Sequence, residues 1–158
     1  MRAGVGVTET ATPLADVVAR LRRAMRRAAR TADPGNTLSV AQLELMSCLA
    51  ENPGARPSQV ARLLRLAPNS VTTLVNGLRT RGLVTRTAGG DDRRTAALEL
   101  TGAGREAVEH WQATNAAILR AAAGGLHPGW QHLLTASLPA LEQLVDAIDE
   151  LAEQGAQP

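Results

Sequence analysis

The residues of this 158-residue chain that are able to do chemistry fall into two sets. The smaller set holds one cysteine, Cys48, and three histidines, His110, His127 and His132. Cys48 sits among Leu45, Met46 and Leu49 with no second cysteine to resolve an oxidised form, so it reads as a structural, partly buried thiol. The histidines lack acidic or cysteine partners at ligand spacing, so surface or interface roles are expected and no metal site. No nucleophile is paired with a base and no glycine loop cradles phosphate, so neither catalysis nor a cofactor is expected. The larger set is arginine, because every basic side chain is Arg and none is Lys. Residues 55–94 hold eight of them (56, 62, 65, 79, 81, 86, 93 and 94) against Asp91 and Asp92. Residues 1–54 hold seven against five acids, and residues 95–158 hold two against eight. A basic middle third between a near-neutral and an acidic flank is a surface for an anion.

Within that third, polar residues form a row. If Val71, Leu74, Val75 and Leu78 turn inward on a helix, then Asn69, Ser70, Thr72, Thr73, Asn76 and Arg79 are left outward. These are the types that meet base edges and phosphates: an Asn amide pairs with adenine, and a Thr methyl packs on the thymine methyl. Arg81 and Arg86 follow as phosphate contacts. Further on, Asp92 precedes Arg94 by two residues, where a carboxylate can hold a guanidinium and aim it, leaving Arg93 or Arg94 to reach a polyanion.

These residues need elements to hold them. Leu14, Val17, Val18, Leu21, Met25 and Ala28 recur at helical spacing, so a first helix is expected over 13–31, its other face carrying Arg20, Arg22, Arg23, Arg26, Arg27 and Arg30. Residues 1–12 are expected to be loose. Ser39 is placed to cap a second helix, 39–51, that buries Leu43, Leu45, Met46 and Leu49. Pro57 opens a short third helix to Leu64, burying Val60, Leu63 and Leu64, and Pro68 opens a fourth that Gly82 stops near Arg81. Two short β-branched runs, 83–87 and 95–100, flank a Gly-Asp turn and predict a hairpin. Thr101 caps a fifth helix to about Ala123. In the last segment Leu134, Leu138, Leu141, Val145 and Ile148 step by four and three residues, the spacing of a helix laid along another helix. With no Phe or Tyr, the core must be built mainly from Leu, Val and Ala.

Two short helices, a four-residue turn and a basic hairpin make a winged helix-turn-helix. A helix fits the major groove of B-DNA, and an Arg-tipped hairpin fits the minor groove. The chain resembles the MarR family of regulators. The resemblance rests on Leu38-Ser39 with Gln42, on Ser70-Val71-Thr72, on Gly82-Leu83-Val84-Thr85-Arg86, and above all on Asp92-x-Arg94 followed by Leu100-Thr101 and Gly104. It implies a mostly α fold with a small β-hairpin wing, the winged helix-turn-helix lobe over 37–101 and a helical dimerisation region over 13–36 and 102–153. It implies a homodimer bound to a pseudo-palindromic operator on double-stranded DNA, usually as a repressor, often released by a small-molecule effector. Leu14, Val17, Leu134, Leu138, Leu141, Val145 and Ile148 would form the interface. Met25, Met46 and Trp111 admit two readings, plain core and the lining of an effector pocket.

The sequence departs from the family pattern on the fourth helix. Ala67 stands where a hydroxyl cap is usual, Thr73 and Gly77 where basic residues are frequent, and Asn76 where an acidic one is frequent. Gly77 alone costs roughly 1 kcal/mol of helix propensity. A second class of function, a winged-helix module that binds protein rather than DNA, would use the hairpin and the acidic C-terminal region; the arginine block favours DNA. No apolar run approaches the roughly 20 residues of a membrane span, and the start lacks a signal-peptide pattern, so a cytoplasmic protein is expected.

Overall fold

The structure, a computed structural model, describes residues 5–88 and 96–154. In order it holds α1 (Val5–Ala32), α2 (Val40–Glu51), α3 (Pro57–Leu63), α4 (Pro68–Thr80), β1 (Val84–Ala88), β2 (Ala96–Leu100), α5 (Gly102–Gly124) and α6 (Pro128–Gln154). The architecture is the expected one, mostly helical with a two-stranded hairpin. The chain divides into two compact units, residues 1–116 and 117–158.

In the first unit, α2 starts where Ser39 caps it. The Gln42 amide donates to Ser39 Oγ at 3.2 Å, and the Ser39 amide donates to Gln42 Oε1 at 3.0 Å, so two orphan donors are satisfied reciprocally. At α3, Pro57 occupies the first turn and the Arg56 amide donates to Gln59 Oε1 at 2.8 Å. The strands pair antiparallel, with Val84 opposite Leu100 and Arg86 opposite Leu98. The far edge of β2 is partly closed, because the Leu98 amide donates to the Ala55 carbonyl at 2.9 Å.

These elements enclose one core. Leu45, Met46 and Leu49 of α2, Val60 and Ala61 of α3, and Val71, Val75 and Leu78 of α4 pack with Val84, Leu98, Leu100 and Val108. All are aliphatic or Met, as the composition requires, and each large one contributes about 1.5–3 kcal/mol by leaving water. The predicted inward residues of α2 and α4 are buried, Leu74 partly. Leu63 is not: it is 48% exposed. On a helix of seven residues the inward direction is set by Val60, Ala61 and Leu64, and Leu63 points away from it.

α1 begins at Val5, ahead of the predicted start, and carries Pro13 within it. Its apolar stripe is only partly covered: Leu14, Met25 and Ala28 are half-buried, but Val17, Val18 and Leu21 are exposed. In the second unit, His127 caps α6 by accepting the Gly129 amide on Nδ1 at 3.2 Å. Leu134, Leu138, Leu141, Val145 and Ile148 of α6 are all exposed. Among the described residues no helix is long and apolar enough to cross a membrane.

Candidate nucleic-acid interface

The turn between α3 and α4 is fixed by one backbone choice. After Leu64, Arg65 takes the left-handed conformation at φ 51°. This lets the Arg65 amide reach the Arg62 carbonyl at 3.2 Å and the Leu66 amide reach the Ala61 carbonyl at 2.9 Å, which closes α3 in a Schellman motif. Leu66 is thereby folded back onto the core. A side chain in this conformation costs about 1–2 kcal/mol, which the partly buried Leu66 and the two bonds offset.

Beyond that turn, Ala67 precedes α4 and makes no side-chain cap. Pro68 has no amide proton and the Ser70 amide donates to the Ala67 carbonyl at 2.9 Å, so this uncapped start leaves at most the Asn69 amide to water or to an anion. The far end of α4 is closed by a second Schellman motif. Gly82 at φ 70° donates to the Arg79 carbonyl at 2.9 Å, and the Leu83 amide donates to the Leu78 carbonyl at 3.0 Å. Helix direction is therefore pinned at both ends by backbone bonds.

With Val71, Val75 and Leu78 inward, Asn69, Ser70, Thr72, Thr73, Asn76 and Arg79 are all exposed, as expected. The structure adds how two of them are held. Thr72 Oγ1 donates to the Pro68 carbonyl and Thr73 Oγ1 to the Asn69 carbonyl, each at 3.0 Å. Both hydroxyl protons are thus committed to the helix itself. Gly77 has a packing role that propensity alone does not show: a Cβ there would lie 3.2 Å from Gln42 Nε2, so the glycine admits the capping glutamine of α2.

Arg81 and Arg86 are exposed, Arg86 on β1. Arg81 is also oriented, because its Nη1 donates to Thr37 Oγ1 at 2.8 Å across 44 residues. Nothing local in the sequence marks Thr37 as the partner of an arginine so distant. Asp92, Arg93 and Arg94 lie outside the described residues. The base of the hairpin is clamped to α4 by Thr101, whose Oγ1 donates to the Gly82 carbonyl at 2.7 Å while accepting the Gly104 amide at 3.0 Å. Gly104 makes this approach possible, because a Cβ there would collide with the Leu83 carbonyl oxygen. One threonine thus caps α5 and fixes the wing to the end of α4.

The charge carried by residues 52–90 is one-sided. Arg56, Arg62, Arg65, Arg79, Arg81 and Arg86 are all exposed, and residues 52–90 contain no Asp or Glu.

The remaining predicted residues are placed as follows. Met46 is wholly buried in the core, and Met25 and Trp111 are half-buried. Two recesses in the first unit, of about 380 and 430 Å³, are lined by other residues. One is formed by Leu49, Pro53, Glu99, Arg105, Val108 and Glu109, the other by Val17, Arg20, Leu21, Arg23 and Arg27. Cys48 is buried, and that burial, with the Glu51 carboxylate, pushes its thiol above the ordinary range. A raised value keeps the thiolate scarce and the group unreactive. His110 Nε2 lies 3.2 Å from Asp33 Oδ2, a surface pair.

Comparison with known proteins agrees with this geometry. Residues 38–96 match the family model of the MarR family. A MarR family protein from Bacillus stearothermophilus is 16% identical with a TM-score of 0.74, covering 88% of this chain and 97% of its own. Streptococcus pneumoniae FabT, solved in complex with DNA, is 20% identical with a TM-score of 0.70, covering 88% and 99%. Bordetella bronchiseptica BpsR, described with the mechanism by which 6-hydroxynicotinic acid regulates its DNA binding, is 20% identical with a TM-score of 0.61, covering 81% and 91%. A search of curated proteins finds no match.

Proposed function

We propose, from the match of residues 38–96 to the MarR family model, that this chain is a cytoplasmic DNA-binding transcription regulator, a homodimeric repressor whose hold on a pseudo-palindromic operator is released by a small molecule. The observation that carries the reading is the exposed row Asn69, Ser70, Thr72, Thr73, Asn76 and Arg79 on α4, set in a surface with six exposed arginines and no acidic residue between 52 and 90. The row offers base-edge partners along one helix, and the arginines neutralise phosphates on either side of it. The wing, with Asp92 aiming Arg94, reaches the minor groove. FabT, a protein of the same fold, is bound to DNA, which supports this use of the lobe. BpsR, whose DNA binding is regulated by 6-hydroxynicotinic acid, supports the effector, with Met25 and Trp111 the residues on which to test its pocket.

Residues 37–101 act as the DNA-binding lobe, and residues 13–36 and 102–153 supply the dimer contacts. Two-fold symmetry places equivalent α4 helices in successive major grooves, so half-sites lie roughly 10 bp apart. The test is the salt dependence of binding to the duplex upstream of the chain's own gene. Six or more phosphate contacts predict a loss of about a thousandfold or more between 50 and 200 mM salt. Binding that ignores salt, or no binding in dilute buffer, refutes the proposal.

A further inference from the structure

Resting on that reading, we infer that α4 is built to read a thymine-rich, A·T core in each half-site through the methyl groups of Thr72 and Thr73. The argument is one of donors and acceptors. A threonine on a helix can turn its hydroxyl outward, to donate or accept, or back onto the carbonyl four residues before it. Here both hydroxyls donate to the helix's own carbonyls at 3.0 Å. What each side chain presents outward is therefore an apolar methyl and an oxygen lone pair, with no proton to give. In the major groove the matching apolar feature is the thymine C5 methyl, and no other standard base carries one.

The neighbours point the same way. Asn69 and Asn76 flank the threonines on the same exposed face. At 1.5 Å of rise per residue they stand about 10 Å apart, the length of roughly three base pairs. Each amide carries the donor and acceptor pair that adenine's N7 and N6 amino group require. Guanine shows two acceptors instead and is read best by a guanidinium or ammonium. Before Arg79, in the last turn of the helix, α4 has no basic residue at all. The part of the helix that leads into the groove is thus rich in partners for A·T and lacks the strong partner for G·C.

The test uses the full-length protein and duplexes selected by it from a random pool, measured by fluorescence anisotropy. Selected half-sites are expected to hold A·T steps at their centre. Replacing each central thymine by deoxyuridine removes only the methyl and is expected to weaken binding about three- to fivefold, the worth of one buried methyl group. Thr72→Ser and Thr73→Ser keep the hydroxyl and lose the methyl, so at least one of them should bind the thymine and uracil duplexes alike. The matching Val variant keeps the methyl and should keep the discrimination. G·C-centred selected sites, or equal binding of thymine and uracil duplexes by the unmutated protein, overturn the inference while leaving DNA binding intact. Failure to bind any duplex overturns the regulator proposal, and this inference with it.

Discussion

Two glycines show how much a single residue decides here. Gly82 and Gly102 both face open space, with nothing within 4 Å of where a Cβ would stand. They differ in backbone: Gly82 stands at φ 70° in the Schellman motif that ends α4, whereas Gly102 opens α5 without a positive φ. Gly82→Ala therefore adds no clash but forces an L side chain into the left-handed region, and should cost about 1–2 kcal/mol. Gly102→Ala at a helix start should be neutral or slightly stabilising, since Ala loses less entropy on folding. Thermal melts compare the two directly, and equal melting temperatures would refute the role given to Gly82. Gly104 is a third case with a different cause. Its constraint is steric, a backbone carbonyl lying where Cβ would go. The sequence motif flagged the residue but could not show which carbonyl it approaches, because Leu83 is near Gly104 only after the hairpin has formed.

At the scale of elements, the features legible in the sequence are those that short-range physics fixes. The cap at Ser39, the proline starts at Pro57 and Pro68 and the stop at Gly82 all act over a few residues, and the structure places each where expected. The inward face of α4 follows from its period, and with it the exposed row. Hidden were Arg65's backbone, which no residue type announces, and the Thr37–Arg81 bond. Leu63 was misread because periodicity over seven residues underdetermines a face. The element that holds Arg79 makes a further prediction. Arg79→Ala should weaken all duplexes and lower the slope of log affinity against log salt by about one, as expected for one lost phosphate contact. Arg94→Ala, in the proposed wing, should do the same with little change in melting temperature. Arg120→Ala, on the exposed part of α5, is the control and should leave the slope unchanged. An Arg79 variant with the parent slope would remove α4 from the proposed interface.

For the molecule as a whole, the unsatisfied quantity is apolar surface. On α6, Leu134, Leu138, Leu141, Val145 and Ile148 are between 43% and 58% exposed, at the four-and-three spacing of a helix seam. On α1, Val17 and Leu21 are 55% and 51% exposed. A soluble monomer seldom leaves such a contiguous stripe in water. Each leucine withdrawn from water is worth about 1.5–3 kcal/mol, so covering a stripe of five offers enough to offset the entropy of association. The proposed homodimer would cover it with a second copy, and a two-fold pair is what the proposed pseudo-palindromic operator requires. Leu141→Asp places a carboxylate in the middle of that seam, where burying it unpaired is prohibitive. Light scattering should then report the 16.6 kDa chain rather than twice that mass. Affinity for a two-half-site operator should collapse toward that for one half-site, while the lobe, whose core contains no α6 residue, keeps its own cooperative melt. A dimer surviving that substitution would mean the α6 stripe is covered by something other than a second copy of itself, and the symmetric operator would lose its structural basis.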